Sequence, residues 1–296
     1  MKDIPQTYKN LNEPTPSGFP PQHQDVQPGS SKSMNPEPIY DNTNYKGCDK
    51  LSGKTVIITG GDSGIGRAVA IAFAKEKATI VIAYLDNPED ADETVKIVQQ
   101  YGSQILSLKC NLKCEDECNS VIQQTIDKFG RLDILINNIA VQFPQNCICN
   151  ITKEQLSNTF ETNIYSYFFM VKAALPHLQS GSCIINTTSV VAYKGNPKLI
   201  DYSSTKGAIV SFTRSLSELL VDRGIRVNAV APGPVWTPLI PSSFNEQEVS
   251  TFGQDTPLKR AAQPFELAPT YVYLASDDSA YVTGQVLHVN GGIIVS

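Results

Sequence analysis

The sequence predicts a doubly wound α/β domain with a seven-stranded parallel sheet and helices on both faces. Three observations predict it. Short β-branched runs alternate with longer stretches of helical period. A glycine-rich turn joins the first such run to the first helical stretch. The composition, 41% hydrophobic and 18% charged over 296 residues, supports one large core. Strand, helix, strand repetition implies parallel pairing, and its crossover helices cover both faces of the sheet.

Residues 1–48 stand apart from this pattern. They carry eight of the nineteen prolines and few large apolar groups, so they cannot build a core of their own. The expectation is a Pro-rich extension that is disordered, or lies extended on its own domain or on a neighbouring subunit. Residues 49–296 form the folded domain. Within it, residues 55–59, 79–84, 105–108, 134–136, 183–186, 227–230 and 286–289 read as strands, and 68–75, 90–100 and 115–128 as helices. No repeat of fixed period interrupts the series.

The first strand runs into Thr59-Gly60-Gly61-Asp62-Ser63-Gly64-Ile65-Gly66-Arg67. Glycines at 60, 64 and 66 let the backbone turn tightly and approach a pyrophosphate, whose charge the following helix N-terminus stabilises. A tight turn can use glycine for steric reasons alone. The position between strand and helix favours a dinucleotide site.

The spacing Thr-Gly-x-x-x-Gly-x-Gly resembles the short-chain dehydrogenase/reductase family, over about residues 50 to 296. Within that family the chain looks like the bacterial branch of general stress proteins and glucose-dehydrogenase-like reductases with a Pro-rich N-terminal extension. The resemblance implies a Rossmann-type fold, a nicotinamide cofactor, and an oxidoreductase acting on a secondary alcohol or carbonyl compound.

Cofactor choice is set at the end of the second strand, Ala83-Tyr84-Leu85-Asp86. An acidic residue there can hydrogen-bond the ribose 2′-OH and repel a 2′-phosphate, whereas arginine would accept the phosphate. Tyr84 stands where NAD-using relatives carry Asp, two residues before Asp86, and Ser63 and Leu85 stand where many NADP-using relatives carry a basic residue. NAD is expected, with NADP as the alternative. Asn111 and Leu112 match the family's adenine-contacting Asp-hydrophobic pair, with Asn in place of the acid. Asn137-Asn138-Ile139-Ala140 resembles the family's Asn-Asn-Ala-Gly, which assigns Asn138 and Ala140 to the cofactor wall.

Tyr202 and Lys206 lie four apart at the start of a predicted helix, which places phenol and ammonium on one face. A phenol with a pKa of roughly 10 is a poor base near neutral pH. A nearby ammonium, with the charge of an oxidised nicotinamide, is expected to lower it toward the working range. Taken alone, such a pair also fits an exposed helix. Ser189, thirteen residues before Tyr202 at a strand end, matches the family's serine and would hydrogen-bond the substrate oxygen. By resemblance Lys206 also binds the nicotinamide ribose, and Asn163 helps hold a water leading from the lysine to solvent. Pro232, Gly233, Val235 and Thr237 match the Pro-Gly-x-x-x-Thr segment suited to gripping the carboxamide.

Other chemistries fit poorly. The histidines are His23 in the extension, His177 after a proline in a predicted helix, and His288 in the last strand, so a Ser-His-acid hydrolase lacks a placed base. Seven cysteines form an odd set without CxxC or a nearby His, which favours reduced thiols over a zinc site; no metal is expected. A net charge of -5 with no long basic cluster argues against nucleic acid. No apolar run approaches the roughly 20 residues of a membrane helix, and the N-terminus shows no secretory signal, so a cytoplasmic location is the default. A catalytically silent dinucleotide sensor or scaffold is the second functional class. Residues 239 to about 263 read as a substrate lid. The segment 284–292 resembles the family's interface strand, and a homotetramer is expected.

Overall fold

The computed structural model describes residues 18–294. The first 17 residues of the extension and the last two of the chain lie outside the described residues.

Seven strands form one parallel sheet in the order β3-β2-β1-β4-β5-β6-β7. They are β1 Thr55–Thr59, β2 Thr79–Tyr84, β3 Ile105–Lys109, β4 Ile134–Asn137, β5 Cys183–Thr187, β6 Arg226–Pro232 and β7 Val286–Val289. Because successive side chains alternate, two cores arise from one sheet. Val56, Ile58, Ile80, Ile82, Ile134 and Ile136 point into one, and Ile57, Val81, Leu135 and Ile184 into the other. Residue pairs such as Ile57↔Val81 and Ile57↔Leu135 keep that register across the centre. Both faces being apolar explains why these strands read as continuous hydrophobic runs.

Helices α1 Gly64–Lys75, α2 Pro88–Gln100 and α9 Ala268–Ala275 cover one face. Helices α3 Glu115–Phe129, α5 Ser166–Ala174 and α7 Ile200–Leu220 cover the other. Between them in the chain lie α4 Lys153–Phe160 and the short α6 Val191–Lys194 and α8 Glu246–Ser250. Strand order reverses between β1 and β4, and this switch point opens a crevice at the carboxyl ends of the strands.

The differences from the sequence reading concern ends. β4, β5 and β6 continue through Asn137, Thr187 and Pro232, all buried. Thr187 and Pro232 border the crevice and Asn137 donates across the sheet to Asn186 at 3.0 Å, so these residues break the apolar pattern without ending their strands. α1 begins at Gly64, so two of the turn glycines already belong to its first helical turn. α5 ends at Ala174, and His177 sits in the turn after it, where Pro176 stops the helix.

Of the outcomes open for the extension, the described part lies extended on its own domain. Phe19 stacks on Trp236 with ring centroids 3.6 Å apart, and the indole Nε1 donates to the Pro36 carbonyl at 2.9 Å. Phe19, Met34 and Trp236 join Ile240, Val249 and Ala261 in a small core of their own. Thus the extension is packed against the segment read as a lid.

Candidate active site

Two cavities meet at the switch point. The first, about 340 Å³, follows the glycine turn from Gly60 and Asp62 through Ser63, Gly64 and Ile65. Gly60 and Gly64 have φ of 65° and 52°, conformations that side-chain-bearing residues rarely adopt. Gly66 serves differently: a Cβ there would stand 1.9 Å from the Gly60 carbonyl oxygen, so it allows α1 to close onto the turn. Ser63, the extended residue before α1, makes no side-chain cap. The first-turn N–H groups are therefore left for an anion at the cavity wall.

The turn is braced from behind. Arg67 is buried, donates from Nε to the Asp62 carbonyl at 2.8 Å, and pairs with the Asp90 carboxylate at 2.8 Å. Burial raises the Asp62 carboxyl to about 6. Tyr84, Leu85, Asn111 and Leu112 line the far part of the same cavity, as the sequence reading places them. Asp86 does not line it. It forms an exposed ion pair with Lys109 at 2.9 Å, so its carboxylate is directed to the sheet edge.

The second cavity, about 640 Å³, holds Ser189, Tyr202, Lys206, Pro232, Gly233 and Val235. Ile65, Asn138, Ala140, Thr237 and Leu239 line both, which makes the two one continuous crevice. Asn138 is fixed by donating from Nδ2 to the Thr59 carbonyl at 3.1 Å while its Oδ1 accepts from Thr187 at 3.3 Å. Gly233 lets its loop approach β7, because a Cβ there would meet the Asn290 backbone at 2.7 Å.

Tyr202 and Lys206 lie on α7, both buried, with Lys206 Nζ 5.4 Å from the Tyr202 ring centroid. The Ser189 hydroxyl accepts from Val191 N at 3.3 Å and lies on the phenol's side of the cavity. Lys206 Nζ donates to the Thr187 carbonyl at 2.9 Å, and Thr188 Oγ1 donates to the Lys206 carbonyl at 2.7 Å. Within the protein alone, burial dominates the electrostatics of the pair. Burial pushes Tyr202 up to about 12, with the nearby Ser189 hydroxyl lowering it only in part, and burial brings Lys206 down to about 7. Desolvation disfavours the charged form of each group, the phenolate of Tyr202 and the ammonium of Lys206.

Asn163 lines neither cavity. It lies in a π-helical turn, Glu161–Tyr165, between α4 and α5. Its Oδ1 accepts from Val141 N at 2.8 Å, and its Nδ2 donates to Val141 O at 2.9 Å and to Thr205 Oγ1 at 3.2 Å. The side chain thus acts as a clasp for the segment that follows β4.

The sequence reading missed the extension's part in the crevice, since Gln27, Pro28 and Gly29 also line the first cavity. It missed Asp201 too, whose buried carboxylate accepts from Thr159 Oγ1 at 2.8 Å and Gln155 Nε2 at 3.0 Å and thereby seats the start of α7 on α4. Cys110, Cys118 and Cys183 are buried, with thiol pKa values pushed up by burial, while Cys48, Cys114, Cys147 and Cys149 are exposed. His288 lies 4.7 Å from Tyr193, edge to face.

Comparison with known proteins follows this geometry closely. Residues 60–294 match the family described as Enoyl-(Acyl carrier protein) reductase. General stress protein 39 of Bacillus subtilis is 55% identical over 95% of this chain and 98% of its own length. The glucose and ribitol dehydrogenase of Daucus carota is 51% identical over 94% of this chain and 98% of its own. Among solved structures, a short-chain dehydrogenase from Mycobacterium paratuberculosis bound to NAD has a TM-score of 0.76 at 30% identity, covering 82% of this chain and 98% of that one.

Proposed function

This chain belongs to the short-chain dehydrogenase/reductase family, and from that premise we propose that it interconverts a secondary alcohol and a carbonyl compound with a nicotinamide dinucleotide. The observation that carries the reading is the continuity of the glycine-turn cavity with the cavity holding Ser189, Tyr202 and Lys206. A purely binding protein has no need of that acid-base group.

Gly60, Asp62, Ser63, Gly64 and Ile65 would hold the pyrophosphate, Asn111 and Leu112 the adenine, and Val235 and Thr237 the carboxamide. The fit rests on the uncapped start of α1 and on the absence of room for a Cβ at Gly66. When bound, the nicotinamide supplies or accepts the hydride. The protein's own part is the proton. Tyr202 Oη keeps its proton at neutral pH because burial raises its pKa, and so it is set to donate to a carbonyl oxygen. In the reverse direction Oη must accept the alcohol proton, which becomes easier as pH rises. Ser189 would donate to the oxygen on which charge develops. Lys206, anchored on Thr187, would place its donors along the ribose side of Tyr202.

We take the substrate to be an aldehyde, ketone or sugar. Its cavity mixes Leu199, Ile240 and Phe244 with Gln142, Asn196 and Gln254, which suits a compound with both carbon skeleton and hydroxyls. NAD(H) is favoured over NADP(H), because Tyr84, Leu85 and Ser63 offer no basic side chain for a 2′-phosphate. A panel of aldehydes, ketones and sugars, run with both cofactors and followed by reduced-cofactor absorbance, should show turnover with NAD(H). A preference for NADPH above about tenfold, a margin of about 1.4 kcal/mol, would overturn the cofactor assignment.

A further inference from the structure

The described part of the extension does more than pack on the domain. Between Gln24 and Ser31 it crosses the first cavity, and Gln27, Pro28 and Gly29 share its wall with the glycine turn on one side and Thr237, Pro238 and Leu239 on the other. The crossing is held at both ends and in the middle. Gln24 N donates to the Pro241 carbonyl at 2.8 Å, and the Gln24 carboxamide closes the loop on Ser30, donating to its carbonyl at 3.0 Å and accepting from its N–H at 2.7 Å. At the far end Ser31 N donates to the buried Asp90 carboxylate at 2.9 Å. That carboxylate is the partner of Arg67, whose Nε holds the Asp62 carbonyl of the phosphate turn.

In the middle, Gln27 Nε2 donates to the Gln142 carbonyl at 2.7 Å and to the Ser242 carbonyl at 3.2 Å. Its Oε1 accepts from Gln142 N at 3.4 Å. Residue 142 follows Val141, which Asn163 clasps through both backbone groups. The wall between the two cavities is therefore gripped by one carboxamide from within the domain and by another from the extension. Opposite, Asn87 has φ of 77°, and its Nδ2 donates to the Pro28 and Gly29 carbonyls at 3.2 and 3.0 Å. A non-glycine residue in that conformation has a conformational cost that the surrounding contacts must offset. Gly29 is tight against the lid side, with a Cβ there falling 2.6 Å from the Pro238 carbonyl oxygen.

We infer that residues 24–31 form a strap over the dinucleotide cleft, that Gln27–Gly29 are part of its binding surface, and that Gln27 and Asn87 are positioning residues that hold the strap shut over the bound nucleotide. This rests on the functional reading above and extends it: the site is completed by a segment outside the dinucleotide-binding domain proper. The strap spans from the β2–α2 loop to the lid, so a nucleotide in the cleft can leave only after its central contacts open. Closure should slow dissociation more than association.

The test is cofactor binding to the full chain, with Kd for NADH and NADPH from titration calorimetry and dissociation rates from stopped-flow fluorescence of the reduced nicotinamide. Gln27→Ala removes the grip on Gln142 and Ser242. Asn87→Gly keeps the left-handed backbone while removing the grip on Pro28 and Gly29. Glu37→Ala, on an exposed part of the extension that does not line the cleft, is the control. The expected result is a dissociation rate raised at least fivefold in each strap variant, with the control and the melting temperature unchanged. Should Gln27→Ala fold poorly, Asn87→Gly decides alone. Wild-type Kd and dissociation rate, within twofold, in a folded strap variant would overturn the strap, as would tighter binding, since the segment would then compete with the nucleotide. A wild-type chain that binds neither cofactor would overturn the functional reading itself.

Discussion

Lys206 is a buried ammonium. Its Nζ lies beside the Tyr202 ring and is bonded to the Thr187 carbonyl, and burial lowers its pKa to about 7 from the ordinary 10.5. Between those values the unfolded chain holds a proton that the folded chain has released. Stability therefore rises with pH across that window and is lost as pH falls through about 7. Tyr202 works in the other direction at higher pH, its proton being retained in the fold up to about 12. Lys206→Met removes the first effect. The melting temperature of the cofactor-free wild type, measured relative to that variant, should climb between pH 6 and 9; a difference independent of pH would show that the ammonium is not desolvated. The sequence made the Tyr202–Lys206 pair legible because a helical spacing of four and the upstream Ser189 are one-dimensional facts. The direction of their pKa shifts was not legible, since it depends on how completely α7 and β5 exclude water.

Among the elements, the strands and main helices could be read from periodicity, because a sheet apolar on both faces leaves unbroken β-branched runs such as Thr55–Thr59. Polar strand ends at Asn137 and Thr187 could not, because a polar residue bonded across the sheet or facing a crevice looks like a residue leaving the strand. The π-helical turn Glu161–Tyr165 left no trace in the sequence either. Such a bulge widens one turn, and here it accompanies the seating of Asn163 under Val141, a tertiary event. At the junction of β1 and α1 the account is stringent. Gly66→Ala would set a methyl group 1.9 Å from the Gly60 carbonyl oxygen, against backbone that cannot yield as a flexible chain end would. Overpacking of this kind costs about 2 kcal/mol. Chemical denaturation of the variant should show at least that loss, together with weaker cofactor binding. Wild-type stability would mean that α1 does not close onto the turn as described.

At the scale of the whole molecule, the extension and the segment from Ile240 to Ala261 form one unit around Trp236, and that unit borders the crevice between the glycine turn and Ser189, Tyr202 and Lys206. Nothing in residues 1–48 announced this: prolines set no period, and Gln27 resembles any solvated glutamine until Gln142 is beside it. The edge strand β7 and the exposed Leu219, Val221 and Tyr281 leave apolar surface for self-association. We expect a homotetramer, with a scattering mass about four times the 32.3 kDa of one chain; a monomeric mass would contradict it. The central claim is that one side chain moves the substrate proton in a crevice otherwise built for the nucleotide. Tyr202→Phe tests it most directly, because the ring, the packing of α7 and the glycine turn all stay. With a substrate from the panel, kcat should fall by about 10³-fold or more while cofactor Kd stays within about threefold of wild type. Turnover near the wild-type rate in a variant that binds cofactor normally would show that Tyr202 is not the acid-base group.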